Sequence, residues 1–255
     1  MAIVAVAGDA CTTTAVALAS AWPASEDALL VEADTTGGDL AAWFDMTPSP
    51  SLSTVVTSVL DGSWPEIERL TRLADTGLRL IPAPARAGEA AQAVGEAARS
   101  LVDTMAALRS PVVIADAGRL HPSPAANPFV GAAEVTVLVH RQATQSSRAA
   151  AARVQRLSDQ LTALGSIPTS VVVAVVGTAL FDLGEIESFL AESVGAQVVV
   201  GLPVDELTAA VFGGRTGVSA RRLARLPLMR ASRELASATK RMLDSTSAEL
   251  SSGGR

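Results

Sequence analysis

The chain has 255 residues, about half of them hydrophobic, with few aromatics, no tyrosine and a net charge of -6. That length and composition suit one large α/β domain with a core of Ala, Val and Leu, and they exclude a globally basic nucleic-acid binder. A lone cysteine, Cys11, excludes an internal disulfide framework, and His121 and His140 have no Cys or His neighbours at ligand spacing, so no zinc site is expected.

Met1 runs straight into a short apolar strand with no basic leader, so no signal peptide is expected. No apolar run reaches the roughly 18 residues of a membrane span. The chain therefore reads as soluble and cytoplasmic. Ala2–Ala7 is the first strand, and Thr12–Ala21 reads as a helix. Ala28–Ala33 is the second strand, followed by a polar turn at Asp34–Asp39. Leu78–Ala83 is a third strand, and Gly88–Arg109 reads as one long Ala-rich helix. Pro111–Ala115 runs into Asp116, and Pro122–Asn127 reads as a surface loop. Glu134–His140 leads to a helix at Gln145–Leu164. Ser170–Val176 leads to a helix near Leu183–Val194, and Ala196–Leu202 is the last strand.

Continuous Val/Ile-rich strands separated by helices predict a doubly wound, mostly parallel sheet of about seven strands with helices on both faces. We expect a single domain over residues 1–244 and a polar flexible tail over 245–255. Ligands in such sheets lie at the carboxyl ends of the strands, so the residues following each strand carry the chemistry.

After the first strand comes Ala7-Gly8-Asp9-Ala10-Cys11-Thr12-Thr13-Thr14, opening a helix. A strand, a small-residue turn and a helix start form a phosphate cradle, because backbone N–H groups and the helix dipole favour an anion. This octet resembles the deviant Walker A motif KGGxGKTT of the ParA/MinD-type P-loop ATPases, members of the SIMIBI class. The signature lysine falls on Ala7, the P-loop lysine on Thr12, and the second and third glycines on Asp9 and Cys11. Gly8, Thr13 and Thr14 match. Leu29–Leu40 (LLVEADTTGGDL) resembles the family's second-strand motif, which implies that Asp34 sits near an attacking water. Val112–Gly118 (VVIADAG) resembles its Walker B strand, which implies a magnesium ion held through Thr13 and Asp116. Val198–Asp205 (VVVGLPVD) resembles its late strand beside the adenine. The resemblance spans nearly the whole chain in order.

The departures bear on function. The chain has 19 arginines, one asparagine (Asn127) and one lysine, Lys240, near the C-terminus. A GC-rich genome explains part of that skew, but such bias does not normally remove a catalytic lysine. Val175–Thr178 offers no asparagine for the adenine. Asp9 puts a carboxylate where phosphate should sit; like charges about 4 Å apart repel by roughly 1 kcal/mol in water and several-fold more in a semi-buried loop. The first basic residue is Arg69, and the sequence leaves open whether a distant arginine folds back onto the turn.

Each candidate has two readings. Gly8, Asp9, Cys11, Thr12, Thr13 and Thr14 form either a residual anion pocket or a retained structural turn. Asp34 and Asp116 are either functional or inherited strand-end carboxylates. Cys11 is either a low-pKa thiol at a helix start or a small buried residue. Arg119, after the Walker-B-like aspartate, either faces a partner's phosphate or is a solvated surface residue. Arg215, Arg221, Arg222, Arg225, Arg230 and Arg233 form a basic C-terminal cluster, which in such relatives implies non-specific DNA or membrane-surface contact; the plain alternative is a docked helix with a solvated basic face.

These residues imply a non-catalytic, ParA/MinD-like scaffold or regulator in positioning or partitioning of chromosome, septum or pilus and secretion machinery. Pilus-associated CpaE/TadZ-type members are the comparison, since they tolerate degenerate Walker A loops. It would be a pseudo-ATPase with no cofactor, peripheral to membrane or nucleoid at most, with protein partners and a nucleotide-independent homodimer. The alternative is an atypical ATP- and magnesium-binding partitioning ATPase with a nucleotide-dependent dimer cycle.

Overall fold

A computed structural model describes residues 3–58, 63–107, 111–142, 146–177, 180–195 and 197–252. In chain order, β1 (Ile3–Gly8) leads to α1 (Cys11–Ala21) and β2 (Ala28–Glu32). Three short helices follow: α2 (Leu40–Trp43), α3 (Leu52–Ser58) and α4 (Trp64–Leu70). Then come β3 (Arg72–Leu73), β4 (Arg79–Ile81), α5 (Ala87–Ser100), α6 (Val102–Ala107) and β5 (Val112–Asp116). A 3-10 turn at Pro124–Ala126 precedes α7 (Pro128–Gly131). The remainder is β6 (Val135–Arg141), α8 (Ser147–Leu164), β7 (Ser170–Val176), α9 (Leu183–Val194), β8 (Val198–Leu202), α10 (Glu206–Phe212), α11 (Ala220–Leu223) and α12 (Pro227–Ser252).

The strands form one sheet in the order β3-β4-β2-β5-β1-β6-β7-β8. Every neighbouring pair is parallel except β3 with β4. Eight strands thus replace the expected seven. The extra one, β3, is two residues long, too short for any periodic pattern to reveal, and its Leu73 is 70 % exposed at the sheet edge.

Period-two alternation divides each central strand between two cores. Ile3, Ala5 and Ala7 of β1 face a core closed by α3 to α9, while Val4 and Val6 face one closed by α1, α2, α10 and α12. Helix α1 is built almost wholly of small residues and is buried along most of its length, because α12 packs over it. A helix apolar on all sides is stable only in that setting.

Two boundaries differ from the sequence reading. The expected helix Gly88–Arg109 breaks at the fully buried Leu101 into α5 and α6, and Arg109 lies outside the described residues. Helix α12 continues to Ser252, past the expected domain boundary at residue 244.

The stretch Pro122–Asn127 is not simply a surface loop, for Pro124 and Asn127 are buried. Asn127 is 7 % exposed. Its Nδ2 donates to Ala33 O at 2.9 Å, and its Oδ1 accepts from Phe129 N at 3.0 Å, capping α7. The side chain ties the loop after β2 to the loop after β5. Removing both bonds leaves buried backbone groups unpaired. Asn127→Ala should therefore lower stability by about 2 kcal/mol in urea titration with an unchanged m-value.

Candidate functional site

The sheet changes winding direction at β1, which lies between β5 and β6. In such sheets the crevice forms at that point. The turn Gly8–Ala10 occupies it. Gly8 has φ 114° and lies so close to β6 that a Cβ would meet Val139 O at 2.3 Å. Its N–H donates to Gly118 O at 2.9 Å, and Asp9 N–H donates to Val139 O at 2.9 Å. Ala10 then takes a left-handed conformation, φ 51°, and α1 begins at Cys11. A glycine would adopt that conformation with less strain. The turn is therefore ordered without the glycines that the Walker A pattern places at Asp9 and Cys11.

A distant arginine does fold back onto it. Arg153 Nη1 of α8 lies 3.0 Å from Asp9 Oδ2, and it also donates to Arg141 O at 3.4 Å. Arg141 N–H reaches Asp9 Oδ2 at 3.4 Å. The two side chains are 36 % and 39 % exposed, so the pair itself contributes under about 1 kcal/mol. Its effect is positional: a carboxylate and its counter-ion occupy the mouth of the phosphate turn. The sole lysine is elsewhere, with Lys240 Nζ bonded to Glu26 and 3.8 Å from Asp244.

The sheet register brings the acidic candidates together. Asp116 pairs with Val6 of β1 on one side and with Glu32 of β2 on the other. Burial pushes Asp116 up to about 6, although the Thr12 hydroxyl, the Gly118 N–H and the Cys11 thiol beside it oppose the shift. Gly118 N–H donates to its Oδ1 at 3.2 Å, whereas Oδ2 is buried without a partner. Thr12, at the lysine position, thus sits by the Walker-B-like carboxylate. Burial and Asp116 raise the Cys11 thiol well above the ordinary thiol range. That is the reverse of an activated thiolate.

Glu32 is a fixed clamp. Its Oε1 accepts from Asp39 N at 2.7 Å and Leu40 N at 3.1 Å, and its Oε2 accepts from Ala83 N at 2.8 Å. Burial pushes it up to about 7 against those three donors. Asp34 Oδ1 accepts from both the N–H and the hydroxyl of Thr36, each at 2.7 Å. Gly118 packs beneath that carboxylate so closely, at φ 68°, that any Cβ would meet it at 2.3 Å. Asp34 and Asp116 are therefore neighbours across the loop ends, as the strand order requires.

On the α1 side, Thr13 and Thr14 line a cavity of about 240 Å³ with Arg141, Val204, Asp205 and Leu228. The Asp205 carboxylate is engaged with the protein itself. It accepts from Thr208 N, Thr208 Oγ1 and Leu228 N, at 3.0, 2.7 and 3.1 Å. Burial would raise its pKa, but those bonds hold it below the usual carboxylate range. Among the described residues no group of three metal-ligating side chains is assembled.

Arg215, Arg221, Arg222, Arg225, Arg230 and Arg233 are exposed, as a solvated basic face would be. Arg233 donates to Ala224 O at 2.8 Å. The apolar side of α12, including Leu228, Met229, Leu235 and Leu243, is packed into the core. No helix among the described residues is long and apolar enough to cross a membrane.

No family model and no curated protein matches the sequence. Solved structures do match the fold. A ParA family ATPase from Chlorobium tepidum is 17 % identical, with a TM-score of 0.66 over 92 % of this chain and 97 % of that one. The MinC:MinD cell division protein complex of Aquifex aeolicus gives 11 % identity and 0.66, covering 92 % of this chain and 95 % of that one. The fold is that of the ParA/MinD-like P-loop ATPases. Cobyrinic acid a,c-diamide synthase from Mycobacterium smegmatis, solved with an ATP analogue and magnesium, is also similar, at 18 % identity and 0.62 over 96 % of both chains. At these identities the ParA/MinD-like likeness is one of fold.

Of the residues singled out in the sequence, Thr12, Cys11 and Asp34 lie by Asp116, Gly8 and Asp9 line a cavity on the α8 side, and Thr13 and Thr14 line another beside Asp205. It missed Arg153, Asn127 and the burial of His140. Arg153 was signalled only by a basic side of α8 with no acidic residue before Asp159.

Asp116 yields a test. An acid held above its ordinary 3.8 binds its proton more tightly in the folded state. Its stabilising contribution is complete below about 3.8 and is lost as pH rises through about 6. Asp116→Asn removes the charge, so the variant should be more stable than the parent by roughly 2 kcal/mol near neutral pH. Chemical denaturation across that range should show the gap closing as the solution is acidified.

Proposed function

We propose that this chain is a non-catalytic scaffold or regulator on a ParA/MinD-like fold, acting through protein contacts in positioning or partitioning. The observation that carries the reading is the Asp9–Arg153 pair in the mouth of the phosphate turn. The pair sets a carboxylate at the motif's second glycine position and commits a guanidinium of α8 to it, while no cation stands at Thr12. Magnesium-nucleotide does not fit these residues. Asp9 repels a triphosphate, Thr12 offers no ammonium group, and Asp205 is tied to α10 and α12. No hydrolytic step is assigned to the chain.

Proteins of similar fold are described as a ParA family ATPase, a partition protein and a cell division protein complex, which supports a general positioning role. Chromosome, septum and pilus or secretion machinery are the candidate cargoes. The exposed arginines of the C-terminal region supply a surface for weak non-specific DNA or membrane contact. With the apolar side of α12 packed inward, DNA phosphate suits that face better than a bilayer.

A single observation favours the alternative of an atypical nucleotide binder. Asp116 Oδ2 is buried without a partner, as a residue awaiting a metal-bound water would be.

Ala7 stands where a partner-reaching lysine would be, so any homodimer is nucleotide-independent on this reading. Sedimentation velocity should give the same distribution with and without Mg-ATP, and an ATP-dependent shift would establish the alternative. The double change Asp9→Gly with Thr12→Lys should restore binding with a Kd on the order of millimolar in a nucleotide titration. No gain at all would show that lysine and glycine are not the only missing elements.

A further inference from the structure

A second cavity, of about 280 Å³, opens beside the turn on the α8 side of the sheet. Arg119, Arg153, Arg156, Gln160, His140 and Asp9 line it. Arg153, Arg156 and Gln160 fall three and four residues apart on α8, so they share one side of that helix. That stripe adjoins the one that buries Val154, Leu157 and Leu161, which fixes its orientation. Arg119 approaches from the loop after β5. Two elements remote in sequence therefore direct guanidinium groups into one concavity.

The charges there are unbalanced. Three guanidinium groups face the single carboxylate of Asp9, on a chain whose net charge is -6. Asp9 engages Arg153. Among the described residues Arg119 and Arg156 make no ion pair and no side-chain hydrogen bond. Gathering like charges without a counter-ion is unfavourable, and an arriving anion relieves it. The inner wall supplies a further polar group. His140 is 4 % exposed, and its Nε2 is buried with no partner. Burial lowers its pKa, with Asp9 opposing and Arg153 and Arg156 reinforcing.

Planar guanidinium forks with neutral N–H donors match phosphate oxygens better than a single carboxylate. The volume is that of a small-ligand pocket, near the lower end of about 300 to 1,000 Å³. Its lining has no Phe, Tyr or Trp on which successive bases could stack, which argues against a nucleic-acid strand. We propose that this cavity is a binding site for a small phosphate-bearing ligand, held by Arg119, Arg153 and Arg156, with Asp9 as the internal competitor for Arg153. The cavity borders the phosphate turn at Gly8 and Asp9 but takes in no residue of α1, and the proposal does not require that turn to bind ATP.

Pyrophosphate is the probe, titrated calorimetrically into the full chain at low ionic strength. Arg119 and Arg156 are exposed, so alanine there leaves the core intact, and an unchanged thermal midpoint checks this. Pyrophosphate should bind at one site. Arg119→Ala and Arg156→Ala should each weaken it by about tenfold or more, while Asp9→Asn should tighten it by freeing Arg153. Thr13→Ala, on the far side of the turn, should leave it unchanged. Absence of binding would overturn the proposal. So would weakening by Thr13→Ala but not by Arg156→Ala, which would place the phosphate in the nucleotide turn. Binding of duplex DNA or an acidic peptide through these arginines, undisplaced by pyrophosphate, would also overturn it.

Discussion

The arrangement depends on how a parallel sheet disposes of the first turn of α1. The N–H groups at the start of that helix point into the crevice, and the helix dipole adds partial positive charge there. Such a site favours an anion. In a nucleotide-binding P-loop the anion comes from solution and lysine neutralises it. Here α1 has no side-chain cap, and the carboxylate beside the turn, Asp9, pairs instead with Arg153 of α8. The nearby turn is held by hydrogen bonds from Gly8 to Gly118 and from Asp9 to Val139, so its shape is fixed by the neighbouring strands.

That design separates two properties that are usually joined. The fold keeps the carboxylates at the ends of β2 and β5, since register alone sets Glu32 beside Asp116. What those carboxylates do differs. Glu32 accepts three backbone N–H groups and holds the loops after β2 and β4 together. Asp34 is capped by Thr36. Of these three, Asp116 has a buried oxygen, Oδ2, that accepts no hydrogen bond, although the Thr12 hydroxyl and Cys11 thiol lie beside the carboxylate.

Legibility followed sequence distance. The mostly parallel sheet and the residues at its strand ends could be read because Val/Ile runs separated by helices leave few arrangements. The pairing of Thr13 with Asp116 was implied by the family resemblance alone, and it is the Thr12 hydroxyl that lies by Asp116. Arg153 could not be placed, because its contact with Asp9 crosses 144 residues and depends on the axial position of α8 over the sheet. Asn127 was misread for a related reason: a Pro- and Ala-rich stretch resembles a surface loop, and nothing local reveals that its one amide reaches Ala33. The two-residue β3 was below the length at which alternation can show.

The Asp9–Arg153 pair also bears on what α8 can do. In the P-loop pattern the lysine stands at the start of the helix that follows the turn. Arg153 comes from another helix, and its neighbours Arg156 and Gln160 on the same side of α8 look into a cavity that the phosphate turn shares only at Gly8 and Asp9. Because the pair is about two-thirds buried and contributes little on its own, Arg153 can change partner at small cost. An anion in that cavity would compete with Asp9 for the same guanidinium, and the released carboxylate would alter the charge at the turn. The charge at the turn would then be set from α8.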